Sequence, residues 1–331
     1  MDHDALPVIS ILIVSFNTKD LLLECLNAVR RETEGIPHEI IVIDNCSNDG
    51  SAELIETRFP GIILIKNTLN QGFAAANNRG FQIARGRYLV LLNTDAFLSP
   101  GTLNRAIEKM DADPQVGVAG ARLVGRDGSW QPSARQYPSI LNDFLHLSGL
   151  AAKYPSSTFF GRCDRTWAPP EDPCETDWVP GAFSILRKSV LDKVGGFDER
   201  FFLYYEEVDL CLRIKAAGYK ICYWPDLVVT HLGGESSKNI KDQLLSSSGS
   251  QLALWRMRSA LLYYRKHQGC VGASAALTME LFWHKLRAIK NSFGCCPEQQ
   301  SKKRESQTYV QLLKKAWKET DGGRLCPPKP W

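Results

Sequence analysis

Apolar residues in the first third of the chain come in short unbroken runs, each followed at once by a polar cluster. "VISILIV" leads into "SFNTKD", and behind it Leu21, Leu22, Cys25, Leu26 and Val29 recur with helical spacing. "EIIVID" leads into "NCSNDGS" and a helix near 52–58. "GIILIK" leads into "NTLNQGFAAANNRGFQIA", and "YLVLLN" into "TDAFLSPG" and a helix over 102–110. Strand, loop and helix, repeated four times with short connections, predict an α/β fold: a parallel sheet flanked by helices. Ligands of such sheets sit at the carboxyl ends of the strands, where every one of these polar clusters falls.

After a further strand, "VGVAGARL", the regularity fades. Residues 125–176 are rich in Trp, Pro, Ser and Arg with weak periodicity, which predicts loops and short helices over a cleft. Order returns with "DWVPGAFSILRKSVLDKVGGFDE", a strand and then a helix ended at Gly195. A helix over about 206–217, capped by Gly218, and two more apolar runs follow. Residues 251–267 form an amphipathic pattern with Leu and Tyr on one side and Arg and Lys on the other. The last thirty or so residues are polar and basic and are expected to be frayed or disordered.

Charge divides the chain more sharply than hydropathy does. The net charge is +4, yet residues 236–331 hold 17 Lys and Arg against 6 Asp and Glu, a net +11, which leaves −7 for residues 1–235. The first part reads as a globular body and the last as a basic attachment surface. Ten cysteines lie scattered with no CxxC spacing, so free thiols in a reduced setting are expected. The start "MDHDALP" carries no secretory pattern, and no window approaches about 18 apolar residues, so the expected location is cytoplasmic.

Ser15, Phe16 and Asn17 follow the first strand, and Asp44 and Asn45 the second. Side chains on adjacent strand tips can converge on one planar polar ligand, although these residue types also cap helices. A dinucleotide fingerprint needs glycines in the first turn, and neither GxGxxG nor GxxxxGK[ST] occurs. Asp95 ends a buried strand, where a cation or an anchored loop amide must pair with it. Mg²⁺ or Mn²⁺ binds through one or two carboxylates plus phosphate oxygens and water, so Asp95 qualifies as a ligand. His231, which ends "DLVVTH" before two glycines, is either a second ligand or a structural residue. In "FFLYYEEVDLCLRIKAAG", Glu206 and Glu207 either complement the helix dipole or, beside an aromatic wall, include a general base.

Together these motifs resemble the family 2 glycosyltransferases of the GT-A fold, within their rhamnosyltransferase-like branch. Six segments in order carry the resemblance between Pro7 and Gly234: "ISILIVSFNTKDLLLECL", "IIVIDNCSNDGS", "NQGFAAANNRG", "YLVLLNTDAFLSPG", "VPGAFSILRKSVLDKVGGFDERFFLYYEEVDLCLRIKAAGY" and "VTHLGG". The resemblance implies a catalytic domain over 1–235, with a donor half to about 122 and an acceptor half from about 123. A basic helical extension over 236–331 follows. It further implies inverting transfer of a sugar from a nucleotide-diphospho-sugar to an acceptor hydroxyl, with Mg²⁺ or Mn²⁺. Ser15, Asn17 and Asp44 would hold the nucleoside, and Asn70, Gly72, Asn77 and Gly181 would lie along the donor. Asn93, Thr94 and Asp95 would form the DxD-type motif, with Asp95 and His231 on the metal. Glu206 and Glu207 align with the "ED" motif, whose second position supplies the base.

Two departures stand out: Asn93 replaces the first Asp of DxD, and Glu207 replaces the usual Asp base. The expected donor is dTDP- or UDP-linked and the expected acceptor lipid-linked or polysaccharide. Residues 251–320 would contact a membrane surface, the catalytic body or another subunit, and no nucleic-acid module is recognisable. The rival readings are a catalytically silent sugar-nucleotide binding module and a nucleotidyltransferase.

Overall fold

The structure, a computed structural model, describes residues 6–233, 248–293 and 296–327. The expected domain boundary at 235 lies outside the described residues. Strand β1 (Ile9–Ser15) is followed by helix α1 (Lys19–Glu32), β2 (His38–Asp44), α2 (Ser51–Arg58), β3 (Ile63–Lys66), α3 (Gly72–Ile83) and β4 (Tyr88–Leu92). β1 is apolar without alternation because both of its faces are covered. Ile9, Ile11 and Ile13 enter one core, with Leu22, Cys25, Leu26 and Val29 of α1, while Leu12 enters the other, under α3. Each such side chain contributes roughly 1.5–3 kcal/mol on burial.

The second half runs β5 (Ala96–Leu98), α4 (Thr102–Ala112), β6 (Val116–Val124), β7 (Trp130–Gln131), α5 (Ile140–Leu147), α6 (Leu150–Lys153) and β8 (Cys174–Glu175). Then come β9 (Phe183–Arg187), α7 (Lys188–Val194), α8 (Glu206–Ala216) and β10 (Lys220–His231). The sheet order is β3-β2-β1-β4-β9-β6-β10-β5, with β7 beside β6 and β8 beside β10. β1 to β4 are parallel as expected. β9 enters antiparallel between β4 and β6, and β5 closes the edge antiparallel to β10, so the sheet is mixed. The two apolar runs expected after α8 form one strand, interrupted by a register shift between Trp224 and Val228 where Pro225 removes a ladder donor. All nine described cysteines are free.

The basic extension departs most from expectation. Helices α9 (Ser248–Lys290) and α10 (Pro297–Glu319) pack on each other, and α9 bends at Gly269, where φ is 69°. The tail is therefore ordered through residue 327, not frayed. Leu313 and Ala316 of α10, with Leu312 and Trp317 beside them, close over Leu254, Met257 and Leu261 of α9. That stripe is narrow within a Lys-rich helix, so low average hydropathy conceals it. Nor does 251–267 present an apolar face to solvent. Leu254, Trp255, Met257, Tyr263 and Tyr264 are buried, and Asp209 of α8 binds Lys266 (2.6 Å) and His267 (2.8 Å) of α9. The first half of α9 thus belongs to the body that carries the site.

Candidate active site

A cleft of about 320 Å³ opens at the carboxyl ends of β1 and β4. It gathers Asn70, Gly72, Asn93, Thr94, Asp95, Gly181, Glu206, Glu207 and His231, all anticipated from the sequence, around Phe16, Phe73, Tyr204 and Leu252.

One wall is built by strand pairing. β4 stops at Leu92, the Asn93 amide donates to the Ala182 carbonyl (3.1 Å), and a turn closed by Ala96 N to Asn93 O (3.1 Å) starts β5. β5 and β10 pair with Ala96 opposite His231, and the Leu232 amide donates to the Asp95 carbonyl (3.0 Å). The backbone ladder itself therefore brings Asp95 and His231 together, with Nε2 and Oδ1 3.6 Å apart. Gln131 then fixes the imidazole. Its Nε2 donates to the His231 carbonyl (2.8 Å), so its Oε1 faces His231 Nδ1 (2.8 Å) and can only accept. Nδ1 carries the proton, and the Nε2 lone pair points toward the carboxylate. Burial lowers the His231 pKa, against the opposing pull of Asp95, and so keeps the ring neutral. A carboxylate oxygen and an imidazole lone pair turned toward each other are two acceptors without a donor, a set that suits a divalent cation. Among the described residues no third His, Cys, Asp or Glu joins them. Nearby, burial and the Asp95 charge push the Cys25 thiol pKa far up.

The other wall is the start of α8. Tyr204 and Tyr205 both adopt left-handed backbone (φ 69° and 70°), which turns the chain so that Glu206 and Glu207 open the helix at the cleft. The turn is braced from outside: Ser259 of α9 donates to the Leu203 carbonyl (2.8 Å), and the Phe202 ring packs at a tilt against Trp255 (centroids 4.4 Å apart). Gly72, at φ 83°, lets the Phe73 amide reach the Phe202 carbonyl (2.8 Å). A Cβ on Gly72 would stand 2.3 Å from that oxygen. Both glutamates leave one buried carboxyl oxygen without a hydrogen-bond partner. Burial raises both pKa values. The neighbouring Glu207 raises Glu206 further, while Arg135 and the Gly181 backbone pull Glu207 down. Both carboxyls thus hold a proton more tightly than an ordinary glutamate does. Asp209 and Arg213, one and two turns along α8, pair at 2.9 Å and serve the fold.

The remaining candidates sit beneath or beside the cleft. Ser15 is buried and its hydroxyl meets that of Thr18 (3.3 Å). Asn17, at φ 53°, accepts from the Asn48 amide (2.8 Å) and so ties the first loop to the second. Capping of α1 falls to Asp49, which accepts from the Lys19 amide (2.8 Å). Asp44 accepts from the Ser47 amide (3.1 Å) through Oδ2, while its buried Oδ1 has no partner. Asn45 accepts from Asn67 (2.8 Å) and the Gln71 amide (3.0 Å) and donates to Asn70 (2.8 Å), which holds the 70–72 loop in place. Asn77 is not brought to the cleft: it is buried in α3 and donates to the Phe73 carbonyl (2.9 Å). Sequence reasoning missed Gln131 and Leu252. Neither carries a local signal, since Gln131 lies in a segment read as loop and reaches His231 only through the sheet.

Residues 10–195 match the family described as Glycosyl transferase family 2. A curated relative from Mycobacterium tuberculosis, N-acetylglucosaminyl-diphospho-decaprenol L-rhamnosyltransferase, is 31% identical over 69% of this chain and 76% of its own length. Rhamnosyltransferase WbbL of Escherichia coli is 24% identical over 77% of this chain and 92% of its own. Among solved structures, a mannosyltransferase of Pyrobaculum calidifontis in complex with GDP-Man and Mn²⁺ is similar in fold. Its TM-score is 0.53 at 15% identity, over 95% of this chain and 88% of that one. GalNAc-T7 with UDP, GalNAc and Mn²⁺ aligns with a TM-score of 0.55 at 15% identity, over 97% of this chain and 59% of that one. The order of strands, the cleft at their carboxyl ends and these matches have one consequence: the chain belongs to glycosyltransferase family 2, in its rhamnosyltransferase-like branch with the GT-A fold, and is a glycosyltransferase.

Proposed function

We propose that this protein is an inverting enzyme that moves a sugar, with rhamnose the first candidate, from a dTDP- or UDP-linked donor. The acceptor is a hydroxyl of a lipid-linked glycan in cell-surface polysaccharide assembly, met at the inner face of the membrane. The observation that carries the reading is the pairing of walls: Asp95 with His231 on one side, Glu206 with Glu207 on the other, and no Lys or Arg among the described lining residues. A donor diphosphate adds negative charge to a cleft that holds three acidic side chains and no described Lys or Arg in its lining, so its neutralisation falls to a divalent cation. Asp95 and His231 would hold Mg²⁺ or Mn²⁺, and when bound the ion stabilises the diphosphate as leaving group. The Mn²⁺ seen with nucleotide in the two structural neighbours supports the same assignment.

The chain's own residues do the rest. Asp44 offers its unpartnered Oδ1 to the imide N–H of a uracil or thymine, with Ser15 and Asn17 shaping that loop. Asn93 and Thr94 hydrogen-bond the sugar or ribose, while Asn70, Gly72 and Gly181 line the donor's path and Asn77 supports it from within α3. Glu207 takes the proton of the acceptor hydroxyl as its oxygen bonds to the anomeric carbon and the opposite carbon–oxygen bond to the diphosphate breaks. Glu206 stands beside it, its own pKa raised by burial and by the Glu207 charge. The lipid-linked acceptor finds its support in the decaprenol-linked substrate named for the Mycobacterium tuberculosis relative. The test is nucleoside-diphosphate release and sugar transfer to a polyprenyl-diphospho-N-acetylglucosamine, with Mn²⁺, Mg²⁺ or EDTA and with the product's anomeric configuration read by NMR. Wild-type turnover in EDTA, or undiminished turnover in both Glu207→Gln and Asp95→Ala, would place the chemistry elsewhere.

A further inference from the structure

Beyond its bend at Gly269, α9 shows an outer face that nothing in the described structure covers. Ala273, Ala276 and His284 turn inward, whereas Val271, Phe282 and Phe293 stand 76%, 62% and 85% exposed, with Leu286 and Ile289 between the last two. At about 100° per residue Val271, Phe282, Leu286 and Ile289 fall within one sector, and at about 1.5 Å per residue they run for roughly 27 Å, with Phe293 following in the turn after the helix. Lys285 lies just outside the sector on one side and Lys290 on the other, both exposed. No described helix is long and apolar enough to cross a membrane.

We infer that this face of α9 is an interfacial helix that lies in the plane of an anionic bilayer, its apolar stripe in the acyl boundary and its lysines among the lipid phosphates. A continuous apolar stripe rimmed by lysines is the pattern of such helices, and basic residues near an anionic leaflet contribute about 1 kcal/mol each. Charge decides against the other natural occupant, a second copy of the chain. A two-fold pairing would set Lys285 and Lys290 of one protomer against those of its partner, in a segment (271–293) whose Lys285, Arg287 and Lys290 outnumber its one acid, Glu280, whereas anionic headgroups complement it. The inference rests on the lipid-linked reading of the acceptor and gives that reading a surface: the acceptor's lipid stays in the bilayer on which α9 sits.

The test is co-sedimentation of the full chain with phosphatidylcholine vesicles and with vesicles containing about 30% phosphatidylglycerol, beside light scattering for mass in solution. Binding to the anionic vesicles is expected, falling about tenfold or more in Phe282→Ser/Phe293→Ser and in Lys285→Gln/Lys290→Gln, and falling again in high salt. Donor hydrolysis with metal, which needs no membrane, and the melting temperature should be unchanged in both double variants. Equal vesicle binding by wild type and variants overturns the inference. So does a dimer that Phe282→Ser/Phe293→Ser dissociates while wild type ignores the vesicles. Loss of vesicle binding with transfer intact on a detergent-solubilised acceptor supports the surface; transfer absent with vesicle binding intact would sink the acceptor reading alone.

Discussion

The two walls of the cleft are made in opposite ways. Asp95 and His231 are set by backbone pairing between β5 and β10 and locked by Gln131, so their geometry follows from hydrogen bonds that are all made. Glu206 and Glu207 stand on two consecutive left-handed tyrosines, with a buried oxygen of each left without a partner. The first arrangement fixes a charge in space. The second leaves a proton's affinity adjustable, because desolvation without satisfied hydrogen bonds raises a carboxylate's pKa. One wall is suited to holding a constant charge and the other to exchanging a proton.

The largest expected effect separates those roles. Glu207→Gln keeps the shape and removes the base, so turnover should fall by about 10²–10⁴-fold while donor and Mn²⁺ binding, read by calorimetry, stay within about twofold. The pH profile carries the same signature. Glu207 works ionised and its pKa is raised, so the rate should be lost as pH falls through a value above that of an ordinary glutamate. A limb at the ordinary value would mean that the second wall is not desolvated. Next comes Gly72→Ala, which puts a Cβ against the Phe202 carbonyl in left-handed backbone. Denaturant unfolding should show a loss of at least about 2 kcal/mol, since the backbone term alone is about 1–2. A neutral result would mean that α3 does not brace the glutamate wall.

Gln131→Leu probes the other wall more gently. It removes the acceptor that selects the His231 tautomer, and Mn²⁺ affinity, followed by the electron paramagnetic resonance of free ion, should weaken by about 10–100-fold. Gln131→Glu, which can still accept, should recover much of it. This residue also marks where the sequence stops being legible. β1 to β4 and their loops could be read because apolar runs, helical spacing and strand-end polar clusters are local signals, and Asn93 to Asp95, Glu206 and Glu207 sit within them. Gln131 lies 100 residues from His231 and on a strand of two residues, too short to carry a period. α10 was hidden for a different reason: its buried stripe of Leu313 and Ala316 is outnumbered by Lys, so composition pointed to disorder while tertiary packing on α9 supplied the order.

The smallest effect tests whether the second wall is strained at all, and a comparison of two truncations isolates it. Tyr204→Ala and Tyr204→Gly both remove a ring that is about one-third exposed, so the loss of packing is nearly common to the pair. They differ at the backbone. In ordinary extended or helical conformation Ala is the more stable by roughly 0.5–1 kcal/mol, but at φ 69° the Cβ meets the following carbonyl and the ranking inverts. Glycine should therefore be the more stable of the two by about 1 kcal/mol in urea unfolding. If alanine proves equal or better, Tyr204 is relaxed, and the contrast between a satisfied wall and a strained one reduces to the orphaned carboxyl oxygens. If glycine wins while turnover drops, the strain is what holds Glu207 against the acceptor. A backbone freed to relax lets the first turn of α8 drift, and a misplacement on the order of 1 Å is enough to cost about a hundredfold in rate.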